Sequence, residues 1–287
     1  MDAKPVFQNI VKHLLPCLTA ILLVTGPGRA NSAPPANQPP SAISAPSRLT
    51  TLRPQMSKIT LASPYDTVLL LLDGQDGGGS LRDVSAQTTF HSDNPRVVIV
   101  TDNGVAEWRG PGQANVIATV KAAGITRTCR IPVTAGAIRT AKTNAPRFLT
   151  DFMPILTKAG CNMGACHGAN AGRGGFDLSL LGYEPDGDYL ALTRFVGARR
   201  ISPAQPDNSL ILRKATARMP HGGGARFAPD SAAYRTLRDW IAAGAPRPVG
   251  EGAGAEPRVT RLVVTPAVRT LQAGETQRLR VEAVYED

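Results

Sequence analysis

Three features of this 287-residue chain predict a multidomain protein: an all-β sandwich, then an all-α domain, then the start of a second β sandwich. Short apolar alternations broken by turn residues fill residues 49–133, the pattern of half-buried strands. From Pro146 the apolar positions fall three and four apart, the spacing of helices. Alternation returns at Arg258, after a Gly/Ala/Glu-rich linker at 249–257. The length suits at least two domains of about 100–200 residues each.

Residues 1–30 read as a secretory signal, with Lys4 and Lys12 ahead of an apolar run at 14–24 and small residues at Gly28-Arg29-Ala30. The run is too short to span a bilayer, so no stable membrane span is expected after cleavage and a periplasmic or extracellular location is. Cys17 lies inside the signal. Residues 31–48, rich in Pro, Ala and Ser, form a linker. The net charge of +10 would suit a polyanionic partner, yet aromatics make up only 5% of the chain and the arginines are scattered. That composition lacks the stacking surface of a nucleic-acid binder and predicts a solvated basic surface without nucleic acid.

The clearest strands are 68–72, 97–100, 116–120 and 129–133, with turns expected at Asp73-Gly74, Asn94-Pro95, Asn103-Gly104 and Gly110-Pro111-Gly112. Cys129 on a strand reads as a small buried hydrophobe and His91 as a surface side chain. Asp83-Val84-Ser85, Phe90, Ser92-Asp93-Asn94-Pro95, Gly104-Val105 and Gly112-Gln113-Ala114-Asn115-Val116 follow one another in an order that resembles a bacterial immunoglobulin-like domain of group 2, over residues 49–135.

In the second segment Phe148, Phe152, Ile155 and Leu156 form an amphipathic stripe, and Gly160 stands where a helix would be capped. A short helix is expected at 209–217, and a longer one at 230–243 with Asp230 as its cap and Gly244 at its end. Directly after the first helix comes Cys161-Asn162-Met163-Gly164-Ala165-Cys166-His167. Two thiols and an adjoining imidazole are the groups that attach haem c, the thiols as thioethers and the imidazole as an iron ligand. Four residues separate the cysteines where two are usual, so the loop must bulge, which Gly164 and Ala165 permit. A Cys161–Cys166 disulfide closing a small loop is the other reading in an exported protein. The glycine-rich stretch 168–175 lacks the Lys-Ser/Thr ending of a phosphate loop and suits close approach to a flat ligand. Met219 and His221 are the candidates for a second axial iron ligand.

Gly174-Gly175-Phe176-Asp177-Leu178, Pro206-Asp207-Asn208-Ser209-Leu210, Met219-Pro220-His221-Gly222-Gly223-Gly224 and Trp240-Ile241-Ala242-Ala243-Gly244-Ala245-Pro246 follow the cysteine motif in order. With it they resemble a planctomycete-type cytochrome c domain of the class I kind, over residues 146–248. The resemblance implies covalent haem c on Cys161 and Cys166, His167 as proximal ligand, Met219 as distal ligand with His221 the alternative, electron transfer to an unidentified redox partner, and membership of a larger secreted multidomain protein. The chain carries no general base, nucleophile or substrate-pocket signature, so no enzymatic activity is expected of it. The competing function is an exported binding or scaffold module, its immunoglobulin-like domains facing polysaccharide or another cell-envelope surface. Finally, Val259-Thr260-Arg261-Leu262-Val263-Val264-Thr265-Pro266 and the stretch 271–279 resemble the opening strands of a second immunoglobulin-like domain, left incomplete at 258–287.

Overall fold

The computed structural model describes residues 49–122, 124–136, 145–248 and 256–286; the expected signal at 1–30, the linker at 31–48 and residues 249–255 of the second linker lie outside them. Ten strands come first: β1 (Leu49–Pro54), β2 (Ile59–Leu61), β3 (Thr67–Leu69), β4 (Leu72–Asp76), β5 (Leu81–Asp83), β6 (Thr88–Ser92), β7 (Val98–Val100), β8 (Val105–Trp108), β9 (Gly112–Ala122) and β10 (Ile125–Ala135). They pair as β2-β10-β9-β6, β1-β4-β5 and β3-β8-β7, all antiparallel except β10 with β2. β9 shows why the pattern works: Ala114, Val116, Ala118, Val120 and Ala122, every second residue, are buried. With Leu49, Leu61, Leu70, Leu72, Val98 and Ile131 they form one core, and Cys129 packs half-buried at its margin.

Asp73-Gly74 is no turn. It lies inside β4, where a Cβ on residue 74 would stand 2.6 Å from Leu49 Cδ1 and 2.8 Å from Val84 Cγ1. The glycine is there to let the strand pack closely, a role that turn propensity does not distinguish from chain reversal.

The expected all-α domain is not formed. Among the described residues strand takes 31% and helix of every kind 21%, with the α-helix in four short pieces. These are α1 (Met153–Lys158) behind a π-type turn at Phe148–Phe152, α2 (Pro185–Thr193), α3 (Leu210–Ala215) and α4 (Ala232–Ala242). The helical spacing was real at each, but glycines, prolines and left-handed residues stop the helices early. Gly160 and Gly244 have φ of +77° and +91°, and Leu181, Ala217 and Ala245 are left-handed despite their side chains. The cap of α4 is Ser231, whose Oγ accepts from the Tyr234 N–H at 3.2 Å, while Asp230 ion-pairs with Arg109 at 3.3 Å. What unites the segment is an aromatic core: the Trp240 ring lies 4.3 Å from Phe152 and 5.5 Å from Phe148, with Tyr189 edge-on to Phe148 at 5.5 Å.

Buried polar groups tie this segment to the sandwich. Glu107 on β8, only 6% exposed, accepts from the Ala232 N–H at 2.9 Å and pairs with Arg235 at 3.6 Å, placing negative charge at the N-terminus of α4. Arg235 also donates to the Trp108 carbonyl at 3.1 Å, and Tyr65 donates to Asp239 at 3.3 Å. Burial, reinforced by Asp239, pushes the Tyr65 phenol up to about 12.

Residues after the second linker return to both partners. Glu256 accepts from the N–H groups of Phe148, Leu149 and Thr150 at 3.1, 2.7 and 3.2 Å. β11 (Val259–Thr265) and β12 (Arg280–Tyr285) pair antiparallel and meet the first sandwich through Arg269 on Asp73 at 2.5 Å and Arg82 on Glu275 at 3.2 Å. Leu262, Val264 and Val281 of this ribbon are 53%, 40% and 57% exposed, so the alternation there covers no core among the described residues.

Replacing Glu107 by Ala removes the counter-charge of a guanidinium with 16% of its side-chain surface exposed and uncaps α4. The expected cost is about 3 kcal/mol. Urea unfolding followed at Trp108 and Trp240 fluorescence checks it, with an unchanged midpoint speaking against the coupling.

Candidate functional site

The cysteine loop starts where α1 ends. The Cys161 N–H still donates to the Leu156 carbonyl at 2.8 Å, and the chain then turns back so that the Cys166 N–H reaches Met163 O at 2.8 Å and the His167 N–H reaches Cys161 O at 2.9 Å. The extra residues are carried outward: Met163, Gly164 and Ala165 are exposed, whereas Cys161, Cys166 and His167 are half-buried. Gly168 has to be glycine, because a Cβ there would lie inside the Asn162 carbonyl.

His167 is oriented by the strip that follows. Its Nδ1 lies 3.0 Å from the Phe176 carbonyl, an acceptor only, so Nδ1 carries the proton and Nε2 is left with its lone pair. The ring packs 4.6 Å from the Phe176 ring. Burial holds the imidazole below its usual range, which keeps it in the neutral form a metal requires.

Cys161, Cys166, His167 and His221 all face one cavity of about 670 Å³, a volume suited to a medium-sized organic ligand. Leu156, Phe176, Ile211, Phe227 and Leu237 supply apolar wall. Met219 is not among the lining residues, so the structure brings four of the five predicted site residues together and leaves the fifth aside. Both motif cysteines are free thiols, and burial pushes Cys161 up to about 11.

Five cations also line the cavity, Arg173, Arg199, Arg200, Lys214 and Arg226, and among the described residues no carboxylate lines it. Arg200 is 5% exposed, stacks its guanidinium 4.6 Å from the Phe176 ring centre, and donates to the carbonyls of Ala191, Phe195 and Gly175. Among the described residues it has no acidic partner within ion-pair distance. Arg226 reaches the Cys166 sulfur at 3.6 Å. Sequence reasoning placed these side chains on a solvated surface. The only local hint was the Arg199-Arg200 doublet leading into apolar Ile201, since charge next to a core residue has to snorkel or find a counter-charge.

The donors do not surround a bare ion: among the described residues no three His, Cys, Asp or Glu side chains gather closely enough. They suit a metal that brings its own equatorial ligands. The unpaired buried cation and its neighbours suit a ligand carrying carboxylates, because a buried charge is costly until it is compensated. On thiols, imidazole, apolar wall and cations alike, these residues fit haem c.

No family model matches the chain, and no curated protein matches it. Among solved structures, one described as the crystal structure of the S-layer protein SbsC domains 4 and 5 is similar over 31% of this chain, at 15% identity and a TM-score of 0.25. The match takes in 53% of that chain, about half its length. None of these comparisons indicates a catalytic family. No helix of the described residues is long and apolar enough to cross a membrane.

A thiol pushed from 9 to about 11 has about a hundredfold less thiolate near pH 8, since each pKa unit is a factor of ten. Cys161 should therefore be alkylated by iodoacetamide about a hundredfold more slowly than a free cysteine. Labelling at the rate of a model thiol would show the sulfur to be in water.

Proposed function

We infer that residues 146–248 hold a covalently attached haem c and serve an exported protein as its electron-transfer module. The observation that carries this reading is the convergence of Cys161, Cys166 and His167 on one apolar-walled cavity. Support also comes from the motif order that resembles planctomycete-type cytochrome c domains, although the segment is not the helical domain such a resemblance implies.

Each residue has a defined task. Cys161 and Cys166 would each add sulfur to one vinyl carbon, the thiol proton going to the other, so that attachment consumes no oxidant. His167 would offer Nε2 as iron ligand, held in direction by the Phe176 carbonyl. Leu156, Ile211, Phe227 and Leu237 would keep water off the ring, and the lining arginines and Lys214 would take its carboxylates. When bound, haem supplies the one-electron chemistry; the protein supplies ligation, burial and charge. The redox partner is an electron donor or acceptor of the cell envelope, and the β modules hold the redox segment in place there.

Expression in a host competent for cytochrome c maturation tests this. The protein should be red, and its colour should stay with the polypeptide through acid-acetone extraction. Cys166→Ala should lose one thioether and most of the covalent pigment, and Cys161→Ala combined with Cys166→Ala all of it. Colourless protein whose mass is two hydrogens below that of the dithiol would establish the disulfide scaffold instead.

A further inference from the structure

His167 keeps its proton on Nδ1 only while the Phe176 carbonyl stays in place, and that carbonyl belongs to a soft piece of chain. Phe176 closes a turn with Arg173: the Arg173 N–H donates to the Phe176 carbonyl at 2.9 Å, and the Phe176 N–H to the Arg173 carbonyl at 3.1 Å. Between them Gly174 and Gly175 have φ of +61° and +71°, both left-handed as a type I′ turn requires. Glycine costs more to order than any other residue, and this pair has no side chains with which to brace itself.

The brace is Arg200. Its Nη2 donates to the Gly175 carbonyl inside the turn, and its guanidinium carbon lies 4.6 Å from the centre of the Phe176 ring. The turn is therefore gripped by its backbone and by its one large apolar side chain together. The other arm of the fork is anchored at the end of α2, where helix carbonyls have no partner of their own: Nη1 donates to the carbonyls of Ala191 at 2.9 Å and Phe195 at 3.1 Å. The Arg200 carbonyl accepts from the Ile211 N–H at 3.1 Å, so α3 bears on the same residue. A planar guanidinium can hold three carbonyls in fixed directions and stack on a ring at once, which the single ammonium of a lysine cannot.

We propose that Arg200 is a positioning residue for His167: it clamps the Arg173–Phe176 turn to the end of α2, so that the Phe176 carbonyl holds the imidazole proton on Nδ1 and leaves Nε2 bare. The clamp serves iron ligation only where haem is attached as inferred above, but it belongs to the polypeptide and can be read without haem.

The test takes the full chain made without haem attachment, labelled with nitrogen-15 at histidine, and reads the tautomer of His167 by NMR at mildly alkaline pH. The signal is assigned by its loss in His167→Gln. In the parent, Nδ1 should be protonated and Nε2 bare. Arg200→Lys and Arg200→Gln should shift the ring to a mixture in which Nε2–H is the larger share, the ordinary preference of a free imidazole. Glu107→Ala, which loosens the same segment from its other side, should keep the parental tautomer. The proposal is overturned if the parent carries the proton on Nε2, if Arg200→Lys keeps the parental tautomer, or if Glu107→Ala shifts it as far as the Arg200 variants do. Should neither Arg200 variant fold, the parent still decides: slow hydrogen exchange at the Arg200 guanidinium supports the clamp, and exchange at the rate of a solvated arginine overturns it. Colourless protein after expression in a maturation-competent host overturns haem attachment and leaves these readings as they stand.

Discussion

The packing around Trp240 is the constraint on which the cavity depends. With no exposed surface, this ring brings together the turn at Phe148–Phe152, α2 through Tyr189 and its own helix α4. Leu156 and Leu237, which line the cavity, stand on α1 and α4 and are placed by that contact. The four helices have 6, 9, 6 and 11 residues, lengths at which an isolated helix is barely stable in water, so their order comes from this shared core and from the groups that cap them. Glu107 matters for the same reason: it supplies a buried anion to the helix that carries the tryptophan.

The β part was the more legible because period-two alternation leaves little freedom. Val116, Ala118 and Val120 could lie on one face in only one way, and Ile131 and Val133 opposite them follow the same rule. Gly74 misled because a glycine demanded by close packing and one demanded by a turn look alike in a sequence. The second segment misled in another way. Phe148, Phe152 and Leu156 have helical spacing over a few turns, but how far a helix continues is decided by residues such as Ala217 and Ala245, whose left-handed conformation no propensity foretells.

At the site, the chemistry of each donor was readable and the arrangement only partly so. Two cysteines and an adjoining histidine announce themselves, and Gly164 and Ala165 between them already permitted an outward bulge. Which of Met219 and His221 faces the cavity depends on a bend of a few residues, fixed by the Gly224 carbonyl and the missing Cβ of residue 223. The five cations were invisible as a group because they are drawn from 173, 199, 200, 214 and 226, and only the fold assembles them. Their concentration around one cavity turns a general excess of positive charge into a local one.

Glu256 has a further consequence. By accepting three N–H groups at Phe148, Leu149 and Thr150, it joins the start of the second segment to the place where the chain comes back. The hundred or so intervening residues are therefore a side excursion with its two ends stapled together, and β11 and β12 resume on the same sandwich from which it departed. The segment is thus held twice, once at its two ends by Glu256 and once on the β part through Glu107, Trp108 and Tyr65. Such a fold is a socket with a cartridge in it.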